Sequence, residues 1–129
     1  MIYLDTSAAL KLVVPEAESH ELELWIAERA GLPRVSSRLL RIELLRAVSR
    51  HWPHRIEQAH RVLSGILLTS IDDVASSAES IRDPLLRSLD AIHLAAAQSM
   101  RSPLTAFVTY DKRLAAEASA LGLPVEAPA

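Results

Sequence analysis

Ile2-Tyr3-Leu4 is an apolar run too short for a helix, and it delivers Asp5 straight into the hydroxyl pair Thr6-Ser7. A run of this length bounded by turn residues reads as a buried strand. Thr6 or Ser7 can cap a following helix over residues 8–14, which Pro15 stops. A similar unit recurs near the other end: residues 104–109 form a strand, Asp111 follows it, and a helix over 112–121 closes at Gly122. Between the two units lies a surface helix over 16–30 with Leu22, Trp25 and Ile26 on one face, ended by Gly31 and Pro33. A brief strand at 34–36 comes next, and then Ser37 capping a helix over 38–51 whose many apolar positions predict that it is largely buried. Pro53 opens a further helix, residues 66–68 read as a strand, and Asp72 or Asp73 caps a short helix. Asp83-Pro84 marks a break and restart, residues 89–100 are strongly helical, and 124–126 give a last edge strand. Strands alternating with helices predict an α/β fold with a mainly parallel sheet covered on both faces. Ligands of such sheets bind beyond the carboxyl ends of the strands. Strands ending near Asp5 and near Thr109 to Asp111 therefore release their carboxylates at one edge.

A chain of 129 residues fits a single domain spanning 1–129, large enough to bury about two-thirds of its unfolded surface. With no cysteine there is neither a disulfide nor a zinc–thiolate site, which fits a reducing compartment. Met1 runs directly into a strand without a basic leader, and no apolar run approaches the ~18 residues of a membrane span. The expectation is a cytoplasmic protein. Three unclustered glycines leave no phosphate-cradling loop, which excludes a P-loop nucleotidase or a dinucleotide fold. The net charge of −2 is unevenly spread. Residues 1–30 carry six acids against Lys11 and Arg29, residues 31–61 carry seven arginines and three histidines against Glu43 and Glu57, and acids again outnumber bases from Val62 onward. This pattern is compatible with a basic face beside an acidic crevice, or with a solvated helix face.

Four carboxylates stand out. Asp5 leaves the first strand and Asp111 the late one, each of which a helix cap would also explain. Glu43 is the lone acid among Arg38, Arg41, Arg46 and Arg50, inside the apolar run 39–45. Helical spacing puts Leu39, Glu43, Arg46 and Arg50 along one stripe, so Glu43 is either held for chemistry or paired with Arg46 or Arg50. Asp90 is the sharper signal, because Leu89-Asp90-Ala91-Ile92-His93-Leu94-Ala95-Ala96-Ala97 is an apolar, small-residue helix interrupted only by an Asp and a His three apart. His93 reads as a satisfied core histidine. Gathered at one edge, Asp5, Glu43, Asp90 and Asp111 would repel one another and raise each other's pKa unless a cation intervened. All-oxygen donors select Mg²⁺ or Mn²⁺, and such an ion polarises a phosphoryl oxygen and lowers the pKa of a water.

Leu4-Asp5-Thr6-Ser7-Ala8, Glu43 within residues 36–44, Leu89-Asp90-Ala91-Ile92-His93-Leu94-Ala95, and Thr109-Tyr110-Asp111 together resemble the PIN-domain ribonucleases, and most of all the VapC toxins of bacterial toxin–antitoxin pairs. The resemblance covers nearly the whole chain, and the Asp90 block is its most specific part. It implies a three-layer α/β/α sandwich around a five-stranded, mainly parallel sheet, and an endoribonuclease dependent on Mg²⁺ or Mn²⁺. By position it implies Asp5 and Asp90 as metal ligands, Glu43 and Asp111 as further catalytic acids, and Ser7 and Thr109 as supporting hydroxyls. It also implies a homodimer and a VapB-like antitoxin covering the site. Arg46 and Arg50, in the basic zone, would then serve RNA phosphates. Two other functions compete on chemistry. A phosphatase using Asp5 as nucleophile would want an Asp two residues on, where Ser7 stands; the other rival is a binding scaffold that keeps the fold without catalysis.

Overall fold

The computed structural model describes residues 1–81, 83, 86–100 and 104–129. Strand β1 (Ile2–Leu4) is wholly buried and runs into α1 (Thr6–Val13), followed by α2 (Ser19–Ala27). β2 (Arg34–Ser37) leads to α3 (Leu39–His51), and a 3₁₀ turn at Pro53–Arg55 opens α4 (Ile56–Ser64). β3 (Leu67–Thr69), a 3₁₀ turn at Asp72–Val74, α5 (Ala75–Glu79) and α6 (Ser88–Gln98) come next. β4 (Ala106–Val108), α7 (Lys112–Ala120) and β5 (Val125–Glu126) complete the order.

The five strands form one sheet in the order β3-β2-β1-β4-β5, and each neighbouring pair is parallel. Alternation along the strands sorts the core into two layers. Ile2, Leu4, Ala106 and Val108 face Ala8, Leu22, Leu40, Leu44, Val48 and Leu63 on one side. Tyr3, Val35 and Phe107 face Leu94, Ala95, Leu114 and Ala118 on the other. The result is the expected three-layer α/β/α sandwich. From β1 the chain steps outward to β2 and β3, then crosses to β4 on the opposite side of β1. The order thus reverses between β1 and β4, and in open α/β sheets ligands bind beyond the strand ends at such a point. No helix among the described residues is long and apolar enough to cross a membrane.

Several local expectations change. Asp5, rather than Thr6 or Ser7, caps α1, its Oδ1 accepting the Ala8 N–H at 2.9 Å. α2 begins at Ser19 instead of residue 16. Ser19 Oγ accepts the Glu16 N–H at 2.8 Å, and the buried Lys11 reaches Glu18 at 2.7 Å and Glu16 at 3.6 Å, which holds this stretch as a turn. The 104–109 strand contracts to Ala106–Val108, although the Thr109 N–H still reaches the Glu126 carbonyl oxygen at 3.2 Å. Asp72 and Asp73 lie inside their 3₁₀ turn and make no side-chain cap. α3 is buried on one face only: Leu39, Leu40, Leu44 and Val48 are inside, whereas Ile42 is 49% exposed among the arginines. Ser37 does meet the helix start, accepting the Leu39 N–H at 3.1 Å. Gly122, at φ 81°, ends α7 in the left-handed conformation that glycine adopts without strain. Pro84, half of the expected break, lies outside the described residues.

Candidate active site

The junction of the β1 and β4 carboxyl ends is built around Asp5, which is 2% exposed. Ser7 Oγ donates to Oδ1 at 2.7 Å and leans towards Oδ2 at 3.0 Å, while Thr109 Oγ1 donates to Oδ2 at 2.5 Å. Both hydroxyls are themselves held by backbone, Ser7 Oγ accepting the Tyr110 N–H at 2.8 Å and Thr109 Oγ1 the Asp111 N–H at 3.1 Å. Asp5 thereby ties the ends of β1 and β4 together. Burial pushes its carboxyl above the usual range, and the hydrogen bonds from Thr109, Ala8 and Ser7 oppose that shift without cancelling it.

Asp90 stands in the first turn of α6, where a helix dipole favours negative charge. Its carboxyl is nevertheless raised, first by burial and then by the charges of Asp111, Glu43 and Asp5, with His93 pulling the other way. It makes no hydrogen bond or ion pair among the described residues. Asp111 caps α7, its Oδ1 accepting the Arg113 and Leu114 N–H groups at 2.9 and 3.0 Å. Capping and a place at the carboxylate edge are therefore both true of this residue.

Glu43 does not pair with Arg46 or Arg50 among the described residues. Both arginines are exposed on α3, while the Glu43 side chain, 23% exposed, turns inward. Its Oε1 accepts the Thr6 hydroxyl at 2.7 Å and meets His93 Nε2 at 2.8 Å. Burial raises the Glu43 carboxyl, but the hydrogen bonds from His93 and Thr6 and the influence of His93 outweigh it, so the net shift is downward. His93 is 1% exposed and satisfied, as a core histidine would be, yet its partners belong to the edge of the sheet. Its Nδ1 meets Tyr3 Oη at 2.8 Å, and Tyr3 Oη accepts the Ser37 N–H at 3.2 Å.

Thr6 and Tyr3 were therefore concealed behind other readings, Thr6 as a helix cap and Tyr3 as sheet core. The available signal was the His93 spacing: a polar ring three residues after Asp90, on an otherwise apolar face, requires partners from the facing strand.

The donor set suits a hard dication: carboxylate oxygens supported by hydroxyls, with Asp90 unpartnered among the described residues and crowded by like charge. Among the described residues no three carboxylate or histidine side chains close around a single point. An ion held by one or two carboxylates and otherwise by water, as Mg²⁺ usually is, requires no such cage.

Comparison with known proteins gives this arrangement a lineage. Residues 2–119 match the PIN domain model. Two ribonucleases of Mycobacterium tuberculosis (strain CDC 1551 / Oshkosh) align over 99% of this chain and 97% of their own lengths, VapC47 at 43% identity and VapC35 at 47%. A structure titled as a toxin–antitoxin complex from Klebsiella pneumoniae superposes with a TM-score of 0.70 at 22% identity, covering 100% of this chain and 98% of its counterpart, a likeness of fold. With the matched model spanning nearly every element of the sheet and relatives above 40% identity end to end, the chain belongs to the PIN-domain family, among its VapC-type members.

Proposed function

We infer that this protein is an endoribonuclease toxin that hydrolyses phosphodiester bonds of RNA with the help of Mg²⁺ or Mn²⁺. The observation that carries the reading is end-to-end similarity to relatives named as ribonucleases, coinciding with a carboxylate edge at the point where the strand order reverses. In this reading residues 1–129 act as one PIN domain, in the cytoplasm and as a homodimer, with a VapB-like antitoxin as the partner that covers the site. The fold likeness to a protein solved in a toxin–antitoxin complex supports that partner.

Asp5 and Asp90 are the residues that would hold the ion, with Glu43 and Asp111 completing the negative edge. When bound, the ion supplies positive charge that polarises a phosphoryl oxygen and lowers the pKa of a water. The chain's own contribution is positional. Ser7 and Thr109 fix both oxygens of Asp5, and Thr6 and His93 fix Oε1 of Glu43. These contacts set the geometry before substrate arrives, which is where much of the catalytic advantage of such a site resides.

The test is cleavage of a mixed RNA substrate beside a small phosphate ester. RNA should be cut with Mg²⁺ or Mn²⁺, poorly with Ca²⁺, and not in chelator, while the ester stays intact. Full cleavage in chelator would refute the metal requirement. Hydrolysis of the ester alone would favour a phosphatase, and neither activity a scaffold.

Arg46 and Arg50 lie exposed in the basic zone and form no ion pair with Glu43 among the described residues. If they meet RNA phosphates, replacing either with Ala should weaken binding across sequences and flatten the log–log salt dependence by about one unit per lost contact. An unchanged salt slope would remove them from the interface.

A further inference from the structure

We propose that His93, read from the sequence as a core histidine, is a positioning residue for Glu43, and that Tyr3 selects the ring tautomer that lets it act. The proposal rests on the ribonuclease reading for its kinetic consequences, but not for its structural one. Its basis is an unbroken hydrogen-bonded chain from sheet backbone to carboxylate. The Ser37 N–H donates to Tyr3 Oη at 3.2 Å, which leaves the phenol proton free to be given to His93 Nδ1 at 2.8 Å. An imidazole that accepts at Nδ1 carries its proton at Nε2. Nε2–H then points at Glu43 Oε1, 2.8 Å away, with the Thr6 hydroxyl oxygen 3.2 Å off as a weaker second acceptor.

The other tautomer would place a bare nitrogen lone pair against the Glu43 carboxylate 2.8 Å away and would turn the phenol proton away from the ring. The wall around the ring discourages rearrangement: His93 is 1% exposed, Tyr3 and Phe107 stack at 5.1 Å with planes 9° apart, and His93 sits edge-on to Tyr3 at 5.9 Å. Rotating the imidazole would break both ends of the chain together. With Oε1 committed to Thr6 and His93, Oε2 is the Glu43 oxygen left without a hydrogen-bond partner among the described residues. The relay therefore decides which Glu43 oxygen remains available for chemistry at the carboxylate edge. This is the arrangement seen where outer groups orient inner carboxylates, and loss of such a partner typically costs about 10- to 100-fold in activity or metal affinity.

The test has one arm that needs no catalysis. Long-range proton–nitrogen correlation spectra of ¹⁵N-histidine-labelled wild-type protein at neutral pH should show His93 as the neutral Nε2–H tautomer, and Tyr3→Phe should convert it to a mixture. A ring protonated at Nδ1 in the wild type, on that nitrogen alone or on both, would overturn the tautomer assignment. The second arm measures kcat and KM for RNA cleavage, normalised to folded protein. His93→Ala should lower kcat by about 10- to 100-fold with little change in KM. His93→Gln, whose amide N–H reaches towards the Nε2 position, should restore a large part of it. Equal kcat in wild type and His93→Ala, or no advantage of Gln over Ala, would overturn the positioning role. Should the wild type cut no RNA at all, the ribonuclease reading fails, while the spectroscopic arm still decides the relay.

Discussion

Asp90→Asn is expected to abolish RNA cleavage while leaving the metal-free protein at least as stable as the wild type. The second half of that result is unusual for a change in a partly buried side chain, and it follows from the electrostatics. The Asp90 carboxyl is raised by burial and by Asp111, Glu43 and Asp5, and no hydrogen bond among the described residues depends on its oxygens. A carboxyl whose folded pKa lies above its unfolded value, about 3.9 for Asp, binds protons more tightly in the folded state. Its contribution to stability is therefore greatest below the unfolded pKa and is lost as pH rises through the folded one. Asn carries no such loss. Comparing wild type with Asp90→Asn in chelator, the stability gap should open in favour of the mutant as pH rises from acid towards neutral. With Mg²⁺ the order should reverse: binding to the folded state alone adds about 2.7 kcal/mol at a hundredfold excess over the dissociation constant, and Asn should forfeit most of that. Thermal melts across pH, in chelator and in Mg²⁺, read all of this directly.

Asp5→Asn should abolish cleavage too, but by contrast it should destabilise the protein with or without metal. Both Asp5 oxygens accept from donors fixed elsewhere: Ser7 Oγ and the Ala8 N–H on Oδ1, and Thr109 Oγ1 on Oδ2. An amide converts one of those acceptors into a donor, facing either the helix-capping N–H or the Thr109 hydroxyl. Relief of the burial cost that raises the Asp5 carboxyl offsets part of the damage. The unsatisfied contact costs about 1–3 kcal/mol where the Thr109 bond is lost, or about 0.5–2 kcal/mol where the α1 cap is lost instead. Chemical denaturation in chelator should place Asp5→Asn below the wild type and Asp90→Asn at or above it. Two carboxylates assigned the same task thus differ in what they do for the fold, because one is built into the β1–β4 junction and the other is not.

What the sequence disclosed and what it withheld divides along the range of the interactions. The strand-then-carboxylate units at Asp5 and Asp111 were legible because they are local: a short apolar run, a carboxylate and a helix start are contiguous. The alternation of elements was enough for the sheet, which the structure shows to be parallel throughout its described strands. Helix starts were less certain wherever a tertiary bond competed with local capping. Thr6 was available as a cap, yet its hydroxyl goes to Glu43, 37 positions away. Lys11 reaches Glu16 and Glu18 and delays α2. Glu43 itself was the least readable residue. Helical periodicity offered Arg46 and Arg50 as its partners, and nothing local pointed to His93, 50 positions further on, or to Tyr3, which strand periodicity places in the core on equally good grounds.

The most direct test of the acidic edge as a metal-dependent ribonuclease site is a single side-by-side experiment on wild type and Asp90→Asn. Each is melted with and without Mg²⁺, and each is assayed on RNA in the same buffers. The account predicts a Mg²⁺-induced rise in melting temperature and RNA cleavage for the wild type, and for the mutant no cleavage and at most a small remnant of that rise. An Asp90→Asn protein that retained both the Mg²⁺-induced rise and the ribonuclease activity would contradict it.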